Sequence, residues 1–419
     1  MDPLEHALVH DNHLHFPNAA SPLLRSSDLK GLADPFSWFL ARRLGLSNDL
    51  AHSEALTRGS WFHTAFRCWG GRNTDTETLA SLEALLELRM GEISDALDRR
   101  EIDGDRRLAF LQREEQDMRV AWAWFAASRS VRTPSLQGKG NQSLPWTDWL
   151  LQSQFTWLAV ESTVRFCTWA AQPDLLLHHG PQNSVWIVDF KTCSGSPLKR
   201  LDGCRGEFQT FHYLSVLREA LQHEEVRRAW NLPHDVRLGG FIHIAVSKPS
   251  IELCGEDRDS TLDTSPFKSG PRKGQPRNER IYSGEPKLSN HVARVTEWFT
   301  STGRYAHLAA ERQTDPPVNA HIVSASILDD PWIRSVNATR RDEVWRRLHA
   351  LPPALPKFPA VQDVEPPWSS NPLFPLRLIE PTKWLPWCKA AGTSIHHRDP
   401  AANPNRPAEI TPFKDPLQP

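Results

Sequence analysis

The chain has 419 residues, 39% hydrophobic and 24% charged, which allows a substantial buried core and excludes a wholly disordered protein. Its formal net charge of −1 excludes a protein that coats nucleic acid by bulk charge, while leaving room for a local basic groove. The 34 prolines exceed an average share and predict long irregular stretches.

Six cysteines, Cys68, Cys167, Cys193, Cys204, Cys254 and Cys388, form no CxxC pair, so zinc-ribbon spacing is absent and scattered thiols fit a reducing compartment. The opening MDPLEHALVHDNHLHF has acids and histidines where a signal peptide needs basic residues and an apolar run. No segment has the apolar length of a membrane span. A soluble cytoplasmic protein with no membrane partner is the expectation.

In chain order, residues 1–22 read as a flexible tail. Helical pattern begins near Ser26, with Leu29, Leu32, Phe36, Phe39 and Leu40 as its apolar positions, and Pro35 inside it leaves one helix or two short ones equally open. A second helix runs from Gly59 through Trp61, Phe62, Ala65 and Phe66 and ends at Gly70 and Gly71. From Asp75 to about Ser128 two apolar stripes, Leu79-Leu82-Leu85-Leu86 and Leu108-Leu111-Met118-Trp122-Phe125, predict a helical insertion at about 75–130. Trp61, Trp69, Trp122 and Trp124 lie on these helices and are expected in the core. Residues 129–148 read as a loop.

The period then changes. Thr163–Thr168, Leu175–Leu177 and Val185–Phe190 are β-prone, with His179–Asn183 as a turn before the last of these. Phe208–Leu221 returns to helix, Gly239–Val246 is a strand, 249–286 is a polar loop and Leu288–Phe299 is helix. The last 68 residues hold 16 prolines and no clear period, an extended arm. The predicted fold class is α/β, a mixed central sheet flanked by helices. It is divided into a tail 1–22, a core domain 23–311 and a Pro-rich extension 312–419.

Asp174 and Asp189 fall at the ends of two adjacent predicted strands joined by a short turn, and Lys191 follows Asp189 by two positions. Residues i and i+2 of a strand share a face, so Asp189 and Lys191 project together. Two converging carboxylates can hold Mg²⁺ or Mn²⁺, and a nearby ammonium can orient a water or stabilise developing charge. By itself an acid-x-lysine at a strand end is also what a strand entering solvent looks like.

The surroundings add to it. Pro173-Asp174 followed by Asp189-Phe190-Lys191-Thr192, with Gln209-Thr210-Phe211-His212-Tyr213 downstream and Gly59-Ser60-Trp61-Phe62-His63 upstream, resembles the RecB-like exonuclease branch of the PD-(D/E)XK nucleases. Ser26-Ser27-Asp28-Leu29-Lys30 with Pro35-Phe36 and Leu44-Gly45-Leu46 resembles the entry helix of that branch, and the resemblance covers roughly residues 23–250. It implies a restriction-endonuclease-like core and metal-dependent hydrolysis of DNA. His63, Asp174, Asp189 and the Phe190 carbonyl would be metal ligands. Lys191 would assist the attacking water, and Gln209 and Tyr213 would position the DNA or the lysine. Gln209 and Tyr213, four apart, share a helix face. Glu161 reads equally as a further acid of the site or as a solvated strand acid. Tyr213 can also be read as core packing, and His63 as an ordinary helix histidine.

The entry segment has no cysteine and the C-terminal part holds only Cys388, so the iron–sulfur cluster of some relatives is not expected. The partner expected is DNA, single-stranded or at ends. No GxxxxGK[ST] motif occurs, so a helicase or recombination partner would be a separate chain. Exonuclease action in recombination, repair or phage DNA metabolism suits the resemblance. A structure-selective endonuclease and a catalytically degenerate module binding DNA or a protein are the alternatives. Arg272, Lys273, Arg277 and Arg280 form a cationic run that either grips phosphates or is simply solvated.

Overall fold

The computed structural model describes residues 8–10, 13–15, 54–98, 104–137, 142–161, 163–166, 169–204 and 207–350. The expected entry helix at 26–46 and the Pro-rich stretch beyond 350 lie outside the described residues. Strands β1 (Leu8–His10) and β2 (His13–His15) pair with each other.

Helix α1 (Glu54–Trp69) starts five residues before Gly59 and stops where Gly70 and Gly71 take φ of 54° and 74°, a region that admits glycine without strain. Helix α2 (Asp75–Asp98) begins at a capping box: Glu77 N–H donates to Thr74 Oγ1, and Thr74 N–H to Glu77 Oε2. Helix α3 (Gly104–Ser128) completes the helical segment. Residues 129–148, read as loop, instead contain the hairpin of β3 (Arg132–Gln137) and β4 (Ser143–Pro145) and the start of α4 (Trp146–Leu150). These pieces are too short and too interrupted by proline to show a period.

The remaining elements are β5 (Phe155–Val160), β6 (Val164–Phe166), β7 (Trp169–Ala171), β8 (Leu175–His179), β9 (Ser184–Cys193), α5 (Pro197–Cys204), α6 (Phe208–Ala220), α7 (Glu224–Ala229) and β10 (Arg237–Ser247). They are followed by β11 (Asp259–Asp263), β12 (Glu279–Ser283), α8 (Leu288–Thr300), α9 (Ala309–Thr314), β13 (Val318–Ser324) and α10 (Pro331–Ala350). The central sheet has the order β13-β10-β9-β8-β5. It is mixed: β9 and β10 run parallel, joined by the crossover through α5, α6 and α7, and the other pairs are antiparallel. Its edge strand β13 lies past residue 311, where the core was expected to end. The segment 249–286, read as a polar loop, carries the β11–β12 hairpin. Leu262, Ile281 and Tyr282 of that hairpin are exposed, so no buried face imposed an alternating pattern on its sequence.

The alternation along β9 sorts its side chains between two cores. Val188 and Phe190 join Phe62, Phe66, Trp122 and Phe125 from α1 and α3, while Val185 and Ile187 join Leu214, Val216 and Leu217 from α6. Phe190 is fully buried, its ring 4.4 Å from Phe66 and 5.2 Å from Trp146 between centroids. Helix α3 is thus part of the main core, and Trp61, Trp69, Trp122 and Trp124 are all buried as expected.

Candidate active site

The site is built at a fork in the sheet. Strand β8 begins at Leu175, opposite Val188, whereas β9 runs on beside β10 alone from Asp189 to Cys193. Asp174, the residue before β8, therefore sits where the two strands part. Asp189 is not at a strand end, as the sequence suggested, but inside the ten-residue β9. The Phe190 N–H, no longer paired with β8, donates to Asp174 Oδ2 and closes the fork.

From the other side, α1 brings His63. Gly59 lets the helix come close: a Cβ there would lie 3.1 Å from Thr192 Oγ1 and 3.7 Å from Lys248 Nζ. One turn later His63 Nδ1 stands 2.9 Å from Asp174 Oδ1 and 3.5 Å from Glu161 Oε1. Glu161 follows β5. Its N–H donates to the Asp174 carbonyl at 2.9 Å and its φ of 51° is left-handed, an uncommon conformation for a side chain larger than glycine. That turn directs the carboxylate inward.

Lys191 forms the second half of the site. Its ammonium lies 2.7 Å from Asp189 Oδ2 and donates to Gln209 Oε1 at 3.1 Å, while Gln209 Nε2 donates to Asp189 Oδ1 at 3.1 Å. A side-chain ring of Asp189, Lys191 and Gln209 thus ties β9 to α6. Behind it, fully buried His243 of β10 has Nδ1 3.7 Å from Asp189 Oδ2, and its Nε2 shares a hydrogen bond of 2.9 Å with Thr210 Oγ1.

Charge is unevenly matched here. Burial, with the carboxylates of Asp189 and Glu161, pushes Asp174 up to about 6 despite His63. Asp189 goes the other way: burial opposes its charge, but Lys191 and His243 outweigh it and hold the group at about 2. Burial likewise works against the Lys191 charge, and Asp189 overcomes it, raising the ammonium to about 12. His63 is raised to about 10, since Asp174 and Glu161 more than offset its desolvation.

These residues fit a divalent cation. Ligand atoms of His63, Glu161 and Asp174 all lie within 4.8 Å of one another. Glu161 Oε1 is buried and accepts no hydrogen bond, and burial together with the neighbouring acids disfavours the charge on Asp174. Two carboxylates and an imidazole suit Mn²⁺ and, less closely, Mg²⁺.

Of the residues singled out in the sequence, His63, Asp174, Asp189, Lys191 and Gln209 meet at the fork, joined by the backbone N–H of Phe190. Asp189 is not within the three-residue ligand cluster, because its two oxygens face Lys191 and Gln209. The Tyr213 ring, one turn beyond Gln209, packs in the core under α6, 6.2 Å from Phe241. Glu161, left open in the sequence, completes the cluster. His243 and Thr210 were not anticipated: a histidine within an apolar strand gives no signal of what lies beside it. Arg272, Lys273, Arg277 and Arg280 lie on β12 and the loop leading to it, where Arg272 and Arg277 stack over Phe267 at 4.5 and 5.6 Å.

A mixed sheet flanked by helices, with paired acids and a lysine at a strand fork, is the arrangement of restriction-endonuclease-like hydrolases. The model of the PD-(D/E)XK nuclease superfamily matches residues 29–246, just over half of the sequence and every residue of this site, and the chain belongs to that superfamily. Membership implies a hydrolase that acts on nucleic acid and depends on a divalent metal. No curated protein and no solved structure matches the chain.

Proposed function

We propose that the protein is a metal-dependent deoxyribonuclease of the RecB-like branch that removes nucleotides from DNA ends during recombination, repair or phage DNA metabolism. The observation that carries this reading is the convergence of His63, Glu161 and Asp174 beside a lysine held by Asp189 and Gln209. The chain order of the motifs, a helix histidine, two acids, the acid-x-lysine strand and the glutamine helix, supports the branch.

His63, Glu161 and Asp174 would hold the ion, with Asp189 and the Phe190 carbonyl as the further ligands that the resemblance implies. A divalent cation supplies charge to neutralise the phosphodiester and lowers the pKa of water. Lys191, kept protonated by Asp189, is a poor base at neutral pH and a good fixed donor. Its ammonium orients the attacking water and offsets the negative charge that grows on the phosphate. Gln209 holds the ammonium against rotation by accepting one of its protons while donating to Asp189.

End-labelled linear DNA and circular DNA, offered in Mg²⁺, Mn²⁺ and EDTA beside Lys191→Ala, test the reading. The expected result is release of short products from linear DNA only, abolished by EDTA and reduced by about 10²–10³-fold in Lys191→Ala, the scale of losing one charge-stabilising donor. Cleavage of circles would point to an endonuclease. DNA bound but never cut would point to the degenerate module.

A further inference from the structure

Beside the metal cluster, α1, α2 and α3 enclose a groove of about 380 Å³. Ser60, Thr64 and Arg67 line it from α1, Arg89 from α2 and Glu114 from α3, and Leu56, Trp61 and Leu85 form apolar walls. It borders His63 on α1: Ser60 and Arg67, which line it, are three before and four after His63, so both neighbour it on the helix surface.

Its chemistry is amphipathic. Arg67 is exposed and makes no hydrogen bond or ion pair among the described residues. Glu114, the one acid lining the groove, accepts from Trp61 Nε1 at 2.9 Å and faces Arg89 Nε at 3.9 Å, which leaves Arg67 as the uncompensated charge. Leu56 is 76% exposed and Leu85 half-buried, so apolar surface is open to solvent along the groove wall.

Resting on the nuclease reading above, we propose that this groove holds a single strand of the nucleic-acid substrate next to the scissile bond. Arg67 would take a phosphate of its backbone, and Leu56, Leu85 and the edge of Trp61 would face an unstacked base. Cations for the backbone together with apolar surface for bases are what single-strand sites combine. The volume lies at the lower end of the range for a small ligand and suits a nucleotide. A duplex keeps its base faces stacked inside and could not use the apolar walls.

The test uses the full-length protein carrying Lys191→Ala, in Mg²⁺, and the fluorescence anisotropy of a labelled single-stranded oligonucleotide and of its duplex. Arg67→Ala and Arg67→Glu are compared with Arg228→Ala, which removes an exposed arginine paired with Glu224 on α7. Arg67→Ala is expected to weaken single-strand binding at least about fivefold, with Arg67→Glu worse. The slope of log K against log salt should fall by about 0.7, the loss of one single-strand phosphate contact. Arg228→Ala should change neither. Equal loss for duplex and single strand, or an unchanged single-strand affinity and slope in both Arg67 variants, overturns the groove while leaving the nuclease reading intact. A parent protein that binds no nucleic acid overturns both.

Discussion

Asp174 and Asp189 sit side by side at the fork yet are driven in opposite directions. Lys191 and His243 keep Asp189 charged down to about 2, while Asp174 is raised to about 6 by burial and, after it, by the neighbouring acids. His63, raised to about 10, carries a proton at neutral pH that a bound cation must displace. The sign follows: protons compete with the metal, so affinity rises with pH. Between pH 6.5 and 7.5 the Mn²⁺ association constant is expected to climb about tenfold for one proton displaced, and more steeply below pH 6, where Asp174 also holds a proton. Calorimetry at several pH values, in buffers of different ionisation enthalpy, reads both the slope and the protons released. A flat affinity with no release would contradict this electrostatic account.

The same residues show what was legible. Asp189 and Lys191 were readable as a pair because a strand alternates its side chains, and that rule needs no tertiary information, whereas Asp174, just outside β8, was read through the family resemblance of the Pro173-Asp174 motif. Glu161 was not, since its role depends on a left-handed turn that no local pattern announces. Gln209 and Tyr213 shared a face by spacing. Which of the two reached the lysine depended on where α6 crosses the sheet.

At the scale of elements, α1 must hold its height against β9 for His63 to reach the acids. One clamp is Arg58, buried on α1. It donates to Asp117 of α3 at 2.7 Å and forms two bonds to Glu252, at 2.6 and 2.7 Å, in the segment after β10. Arg58→Ala would leave the Asp117 carboxylate, almost wholly buried, without that cation. Removing one partner of a buried pair typically costs about 3–5 kcal/mol. Urea denaturation of Arg58→Ala is expected to show a loss of that order, and a loss below about 1 kcal/mol would show that the clamp contributes little. Among the elements, β9 and β10 were legible as continuous apolar runs. The β3–β4 and β11–β12 hairpins were not, being short or exposed on both faces.

At the scale of the molecule, the cluster exists only through the fold: His63, Glu161 and Asp174 come from a helix, the residue after an edge strand and the residue before its neighbour. The fold class was legible because helical and strand periods segregate along the chain. The closing edge strand β13 was not, since seven residues between polar segments carry too few alternations to stand out. Among the described residues no helix is long and apolar enough to cross a membrane.

The central claim is that these three side chains form the metal centre. Titration of the full-length protein with Mn²⁺, followed by electron paramagnetic resonance of the free ion, tests it most directly, with Glu161→Gln and Asp174→Asn beside Glu224→Gln, an exposed acid on α7. The expected result is saturable binding by the parent protein and by Glu224→Gln, weakened by at least about tenfold in each of the other two. Binding as tight in Glu161→Gln and Asp174→Asn as in the parent would contradict the assignment and move the metal elsewhere.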